Sequence, residues 1–260
     1  SDLRAGAGAA ASAVITSVRT FDRVTAALLG GSLVLFLIAV ARLHPEQAGV
    51  YGLVPILGVS YFVGLATLCV ALFRECRRRR LHRTGLAASN VMLIVYMSMP
   101  VAWSSGTPPF PTAYVHRFLT DWYSELGALP PAVDGRISWS GFFAGAAHVM
   151  RTGGLDDSTV FLTRASLIFG TLLMFPLYAL GHSVSGSARV GWGTITIYIL
   201  FNWYQQDYFA PQALAMQLYV TIVAVLIWQL RVSPLPPVGF WRAWRRVPGR
   251  PRGRGPGFSY

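Results

Sequence analysis

Apolar residues in this chain form long, nearly uncharged runs that are separated by shorter polar stretches. Six of these runs have about the length that a helix needs to cross the hydrocarbon of a bilayer. The predicted spanning helices are residues 24–43, 51–73, 86–103, 159–181, 190–205 and 211–230. The pattern therefore predicts an all-α fold, a polytopic membrane helix bundle of about six spans, of which the fifth is the shortest.

The polar stretches define what lies outside the bundle. Residues 1–23 are rich in small residues and predict a flexible N-terminal tail, and residues 231–260 are rich in Pro, Gly and Arg and predict a basic, disordered tail. The transmembrane domain is then residues 24–230. Its longest interruption is an outer segment, residues 104–158.

Basic residues predict the orientation of the bundle. The loop between the second and third runs reads "RECRRRRLHR" at residues 74–83, and short Arg-rich loops stay cytoplasmic. With six spans, both termini lie on the side of this loop, in the cytoplasm. The chain is thus expected to be a multi-pass protein of the cell membrane, with the outer segment and the junction at residues 202–212 on the far side.

Composition narrows the classes of partner. Hydrophobic residues make up 53% of the chain and charged residues 12%, and the 22 basic residues are all Arg. The net charge of +12 comes from loops that flank the helices. Because no separate basic face exists, we expect membrane lipid and no nucleic acid as a partner. Cys69 and Cys76 have neither the number nor the spacing of a disulfide framework or a zinc site.

The outer segment has a helical pattern of its own. After the chain-breaking "TPPFP" at residues 107–111, apolar residues recur at helical spacing through residues 112–129. This stretch predicts an amphipathic helix that lies on the membrane or against the spans. A second short helix is predicted at residues 138–154. The outer segment thus contains two juxtamembrane helices, and Asp121, Glu125, Asp156 and Asp157 are interpreted as solvated charges, the last two before the fourth span.

The junction at residues 202–212, "NWYQQDYFAPQ", is the most unusual stretch. Aromatic rings can cover the apolar face of a sugar, while amides and carboxylates hydrogen-bond its hydroxyls. An interfacial aromatic belt explains the Trp and Tyr residues equally well. It does not explain the amides and the carboxylate, which are Asn202, Gln206, Asp207 and Gln212. The stretch therefore predicts a sugar or headgroup site.

Arg164 lies about one and a half turns inside the fourth run, where a guanidinium is costly. Two interpretations stay open, because the side chain can extend to the membrane surface or bind a lipid phosphate with its planar fork. In either case we expect it to lie near the outer interface.

Three stretches resemble a known family: "AYVHRF", "DGRISWSGFF" and "FNWYQQDYFAPQALA". They are similar to the amino-terminal half of large actinobacterial multi-pass proteins that are predicted to be glycosyltransferases of the GT-C type. Ser140 stands where that pattern has Pro. The stretch "SSGTPPFPTAY" also lacks the acidic residue that such enzymes usually carry early in the first large outer loop, and family members are much longer than this chain.

The resemblance implies a transferase that passes a sugar from a polyprenyl-phosphate donor to a glycan or lipid acceptor at the outer membrane face. Such a reaction needs a base for the acceptor hydroxyl and a cation for the leaving phosphate. The implied catalytic residues are Asp134, Asp207 and His116. The implied substrate-binding residues are Arg136, Arg164, Tyr114, Trp139, Asn202, Trp203, Gln206, Tyr208 and Gln212. No cofactor is implied with certainty; a divalent metal fits the chemistry, although no pair of clustered acids supports it.

Other functions remain open from the sequence. The chain could be a non-catalytic membrane module that binds a lipid carrier or a polysaccharide beside a partner membrane subunit. A transporter piece is less favoured, because the ionisable residues concentrate at the outer ends of spans rather than at the midplane. If the outer segment and the junction form one site, Trp139 and Phe142 should approach residues 202–212.

Overall fold

The computed structural model describes residues 22–108, 110–128, 135–136, 140–202 and 207–230. Within these ranges the protein is all-helical and contains no strand, which confirms the predicted fold class at that level. The α-helices are α1 (Arg23–Ala41), α2 (Gly58–Arg77), α3 (Arg83–Ser98), α4 (Pro100–Ser105), α5 (Thr112–Leu126), α6 (Gly141–Thr152), α7 (Thr159–Ser185), α8 (Ala188–Phe201) and α9 (Pro211–Leu230). Of the predicted tails, residues 1–21 and 231–260 lie outside the described residues, while the last two residues of the predicted N-terminal tail, Asp22 and Arg23, belong to the start of α1.

Four of these helices are long and apolar enough to cross a membrane, namely α1, α2, α7 and α9. The other two predicted spans are shorter, since α3 has 16 residues and α8 has 14. The third run is divided because Pro100, which cannot donate a backbone hydrogen bond, begins the separate helix α4. The second helix starts at Gly58 rather than at residue 51, because short 3-10 turns at Pro45–Gln47 and Val54–Ile56 precede it.

Polar contacts show which helix ends lie together at one end of the bundle. Thr25, in the first turn of α1, donates a hydrogen bond to Glu75 near the end of α2. Arg189, at the start of α8, donates to the backbone carbonyls of Cys76, Arg78 and Arg79. We call this end, which carries the arginines of the loop after α2, the basic end.

The opposite end is covered by α5 and α6, and we call it the covered end. There, Ser98 at the end of α3 donates to Asp207, which follows α8. Asp121 of α5 accepts the backbone N–H of Ser158, just before α7. Tyr61, near the start of α2, donates to the carbonyl of Tyr96 near the end of α3. The helices α1, α2, α3, α7, α8 and α9 therefore run in alternating directions between the two ends.

The core of the bundle lies around α3. Tyr96 is fully buried, and its hydroxyl donates to the backbone carbonyl of Ser32 on α1. Ser32 donates in turn to the carbonyl of Gly64 on α2. Gly64 is required because a Cβ there would lie 2.1 Å from the Tyr96 hydroxyl oxygen. Three helices thus approach closely, and their buried polar groups satisfy one another as an apolar environment demands.

Helices α7 and α8 form a tight pair. Gly186 ends α7 with a φ of +67°, and its amide donates to the carbonyl of His182 over 2.7 Å. This left-handed C-cap lets α8 begin only two residues later. The two helices differ in length, since α7 has 27 residues and includes Pro176, whereas α8 has 14.

Candidate functional site

An aromatic cluster joins the outer helices to the junction that follows α8. The rings of Phe142 on α6 and Phe209 are 5.0 Å apart between centroids, and Phe161 on α7 stacks on Phe209 at 5.3 Å. Phe110, before α5, lies 4.9 Å from Tyr208. The predicted approach of Phe142 to the junction is confirmed. Trp139 lies outside the described residues.

His116 connects α5 directly to the junction. Its side chain is buried, and Nδ1 donates to the backbone carbonyl of Phe209 over 2.8 Å. The imidazole also lies beside the rings of Phe143 and Tyr208. Burial lowers the pKa of His116, and the positive charge of Arg136 lowers it further, against the opposing effect of the Phe209 hydrogen bond. His116 is therefore a neutral ring with Nδ1 engaged in holding α5 on the junction.

Asp207 lines a cavity of about 30 Å³ between α3, α7 and α8. The polar members of the lining are Ser98, Tyr198, Asn202 and Asp207 itself. Ser98 Oγ donates to Asp207 over 3.3 Å. Burial raises the pKa of Asp207, and the Ser98 hydrogen bond only partly opposes this. The arrangement gives a carboxyl group that can take up a proton, in a space that holds about one or two waters.

The other predicted site residues are distributed as follows. Tyr208 is buried beside His116, and Asn202 is partly buried in the cavity of Asp207. Tyr114, Arg136, Arg164 and Gln212 have exposed side chains. Asp134, Trp203 and Gln206, like Trp139, lie outside the described residues. The structure thus brings His116 and Tyr208 together under α5 and α6, and places Asn202 and Asp207 in the cavity between α3, α7 and α8.

The two faces of α5 differ in exposure. The apolar stripe in the sequence predicts a face that lies on the membrane or against the spans, and Tyr114, Phe118 and Leu126 are exposed. These side chains are therefore not buried against the spans, and contact of this face with a membrane stays a prediction. The buried face contains Ala113, His116, Leu119, Thr120, Tyr123 and Ser124. Because α6, α7 and the junction pack on the His116 side, Leu119 is the one described residue of the predicted stripe that is buried.

Two acids interpreted as solvated charges have defined structural contacts. Asp121 accepts the Ser158 N–H over 2.9 Å and pairs with Arg117 over 3.3 Å. Asp157 accepts the Thr159 N–H over 2.8 Å at the start of α7, as expected for a carboxylate at a helix N-terminus. The hydrogen bonds from Thr159 lower the pKa of Asp157. Both acids fix α5 to α7.

Sequence reasoning missed Ser98 and Tyr198, which line the cavity of Asp207. They belong to apolar runs, and no spacing relates them to the junction. Among the described residues, no group of three or more His, Cys, Asp or Glu side chains could hold a metal ion. No protein-family model matches this chain, and no match to it was found among the curated proteins or the solved structures.

Proposed function

We propose that this chain crosses the cell membrane six times, with both termini in the cytoplasm and the covered end outside. The alternating directions of the six helices support this topology, as does the concentration of exposed arginines at the basic end, where Arg77, Arg79, Arg80 and Arg83 lie. Helix α3 and the following α4 extend together from Arg83 to Ser105, which is about the length of a span. In this topology α5 and α6 are juxtamembrane helices.

The function that best fits the covered end is that of a glycosyltransferase-like protein, or an amino-terminal part of one, that uses a polyprenyl-phosphate-linked sugar. One observation carries this proposal. Asp207 lies in a small cavity at the covered end, directly before the aromatic residues Tyr208 and Phe209 that pack under the outer helices, with Ser98 as its neighbouring hydroxyl donor. A carboxyl group whose pKa is raised by burial is suited to accept a proton from an acceptor hydroxyl.

In this proposal Asp207 is the base, and Asn202 and Tyr208 orient the sugar. His116 positions the junction through Phe209. The guanidiniums of Arg136 and Arg164 are exposed, and their planar donor geometry suits a donor phosphate. Asp134 remains the alternative base, on its position in the resembling motif.

The test is a sugar-transfer assay on membranes that contain this chain and a polyprenyl-phosphate-sugar donor. Asp207→Asn keeps the shape of the side chain but removes its charge, so transfer should fall by about two to four orders of magnitude. Asp134→Asn is measured beside it, and Asp156→Asn, an exposed carboxylate before α7, is the matched control. Transfer that persists unchanged in both Asp207→Asn and Asp134→Asn contradicts the proposal.

A second function is favoured by the size of the cavity. About 30 Å³ beside Asp207 accommodates water but no sugar ring. This favours a non-catalytic module that holds a lipid carrier or a polysaccharide for a separate membrane subunit. In that case Asp207→Asn weakens retention of the carrier modestly, and the wild-type membranes show no transfer to lose.

A further inference from the structure

The exposed face of α5 contains a second feature, a groove of about 350 Å³. Its lining residues are Tyr114, Arg117, Phe118, Asp121, Trp122 and Glu125. This volume is within the range of small-ligand sites. The groove shares no lining residue with the cavity of Asp207, which lies between α3, α7 and α8.

Three aromatic residues, Tyr114, Phe118 and Trp122, recur every four residues and so share one side of α5. The rings of Phe118 and Trp122 are 5.9 Å apart between centroids and are tilted by 32°. Phe118 is 63% exposed and Tyr114 is 45% exposed, so packing within the bundle does not account for these two rings, whereas Trp122 is partly buried against the aromatic cluster. The three rings form an apolar platform about two turns long.

A row of charged groups borders this platform. Arg117 pairs with Asp121 and reaches Asp157, and Asp121 also accepts the Ser158 N–H. These two groups are therefore occupied in holding α5 to α7. Glu125 is exposed, and its carboxylate stands in the groove beside Trp122. The groove thus offers ring faces together with one accessible acceptor group.

This combination matches a saccharide better than a lipid surface. Helices that lie on anionic membranes carry Lys and Arg on their polar face, whereas this groove has two carboxylates for one guanidinium. Ring faces cover the C–H face of a sugar, and a carboxylate accepts its hydroxyl protons. We infer that the α5 groove binds a sugar unit of a glycan, with Phe118 and Trp122 as the stacking platform and Glu125 as the hydroxyl acceptor.

The experiment uses saturation-transfer NMR to measure saturable binding of mannotriose and maltotriose to the whole chain in phosphatidylcholine nanodiscs. At least one trisaccharide should bind. Phe118→Ala should weaken that binding about tenfold and Glu125→Gln about threefold, because each removes one direct contact. Phe175→Ala is the matched control, since Phe175 is 72% exposed but lies on α7, and it should leave binding unchanged.

Three results overturn the inference. The first is the absence of saturable binding for both trisaccharides. The second is loss of the bound-sugar NMR signal when tetramethylammonium is added, because competition by this ion shows that the rings form a site for cations. The third is quenching of Trp122 fluorescence by acyl-brominated lipid, because such quenching places this face of α5 in the membrane. The Trp122 signal is obtained as the difference between the wild type and Trp122→Phe. Because trisaccharide binding is measured without a polyprenyl-phosphate-sugar donor, a failure here is separate from a failure of sugar transfer.

Discussion

Each end of the bundle has a buried carboxyl group, and the two groups have very different surroundings. Glu75, at the basic end, is fully buried, accepts the Thr25 hydroxyl over 2.5 Å and pairs with Arg78 Nε over 2.9 Å. His82 Nδ1 lies 3.7 Å from its other oxygen. Asp207, at the covered end, has the Ser98 hydroxyl at 3.3 Å and a small cavity.

The difference separates a structural acid from a candidate functional one. Burying a carboxylate is costly unless cations and donors compensate for the lost water. Glu75 has more of that compensation, since Thr25 donates to Oε1 and Arg78 pairs with the same oxygen, while Oε2 has His82 at 3.7 Å and accepts no hydrogen bond from the described residues. The group thus holds α1, α2 and the following loop together. Asp207 has little of it, and a buried group that lacks compensation is typical of sites that bind or react.

The largest expected effect is at Glu75. Glu75→Gln removes the charge that faces Arg78, and breaking a buried pair from one side costs about 3 kcal/mol, at the low end of the usual range because Arg78 is partly exposed. The measurement is the free energy of unfolding in micelles. Arg80→Gln, an exposed change in the same loop, is the control and should have little effect. Equal stability of the two variants would remove the structural role of Glu75.

The next effect is at the contact between α5 and the junction. His116→Ala removes the hydrogen bond to Phe209 and the ring contacts to Phe143 and Tyr208, and we expect a loss of about 2 kcal/mol. Faster hydrogen exchange in α5 and α6, with α1 unchanged, is the expected local signature. Val115→Ala, which changes an exposed neighbour, should leave exchange as it is.

His116 also makes the covered end sensitive to acid. Its folded pKa lies below the ordinary value of 6.5, so the unfolded chain takes up the proton more readily. Its contribution to stability is present above about pH 6.5 and is lost as the pH falls through the folded pKa. The protection of α5 amides, corrected for the pH dependence of the intrinsic exchange rate, should therefore fall between pH 7 and pH 5. A pH-independent protection factor in α5 would contradict this assignment.

A smaller effect distinguishes the two ends by pH. Burial raises the pKa of Asp207 in the folded protein. Its contribution to stability is therefore present below about pH 3.8 and is lost as the pH rises through the folded pKa. Arg74 lowers the pKa of Asp22, at the basic end, to about 2, so that contribution is present above pH 3.8 and is lost as the pH falls. The free energy of unfolding of Asp207→Asn should match that of the wild type near pH 4 and exceed it by about 1 kcal/mol near pH 8. A variant less stable at pH 8 would show that Asp207 is well compensated.

The smallest effect is expected at Ser98. Ser98→Ala removes the donor to Asp207, which lowers stability by about 0.5–1 kcal/mol above the carboxyl pKa and raises that pKa further. Infrared titration of the protonated carboxyl band follows the shift, with Ser105→Ala as the control for loss of an exposed serine. An unchanged titration would mean that the hydroxyl does not stabilise the charge.

The sequence predicted those elements that a local pattern defines. The last apolar run, residues 211–230, coincides with α9, because Pro211 marks its start. The first run, residues 24–43, nearly matches α1. The face of α5 could not be predicted in this way, because its aromatic stripe is compatible with lipid, protein or ligand, and the packing of α6 and α7 decides between them.

The partners of the two buried acids are equally non-local. Ser98 is 109 residues from Asp207, and Thr25 is 50 residues from Glu75. No spacing in the sequence relates such pairs, so Glu75 was read only as part of an Arg-rich loop. Asp207 could be selected from the sequence because the amides and aromatic residues around it are unusual for a helix junction.

The unequal lengths of α7 and α8 have a consequence for the bilayer. At 1.5 Å per residue, α7 is about 40 Å long and α8 about 21 Å, and both start from the same tight turn at Gly186. The end of α8 is therefore set back by about 19 Å from the far end of α7. In the proposed six-span topology, hydrophobic mismatch of this kind would draw the surrounding lipid inward. A carrier lipid beside α8 would then present its phosphate at the level of Asn202 while its polyprenyl chain remains in the acyl layer.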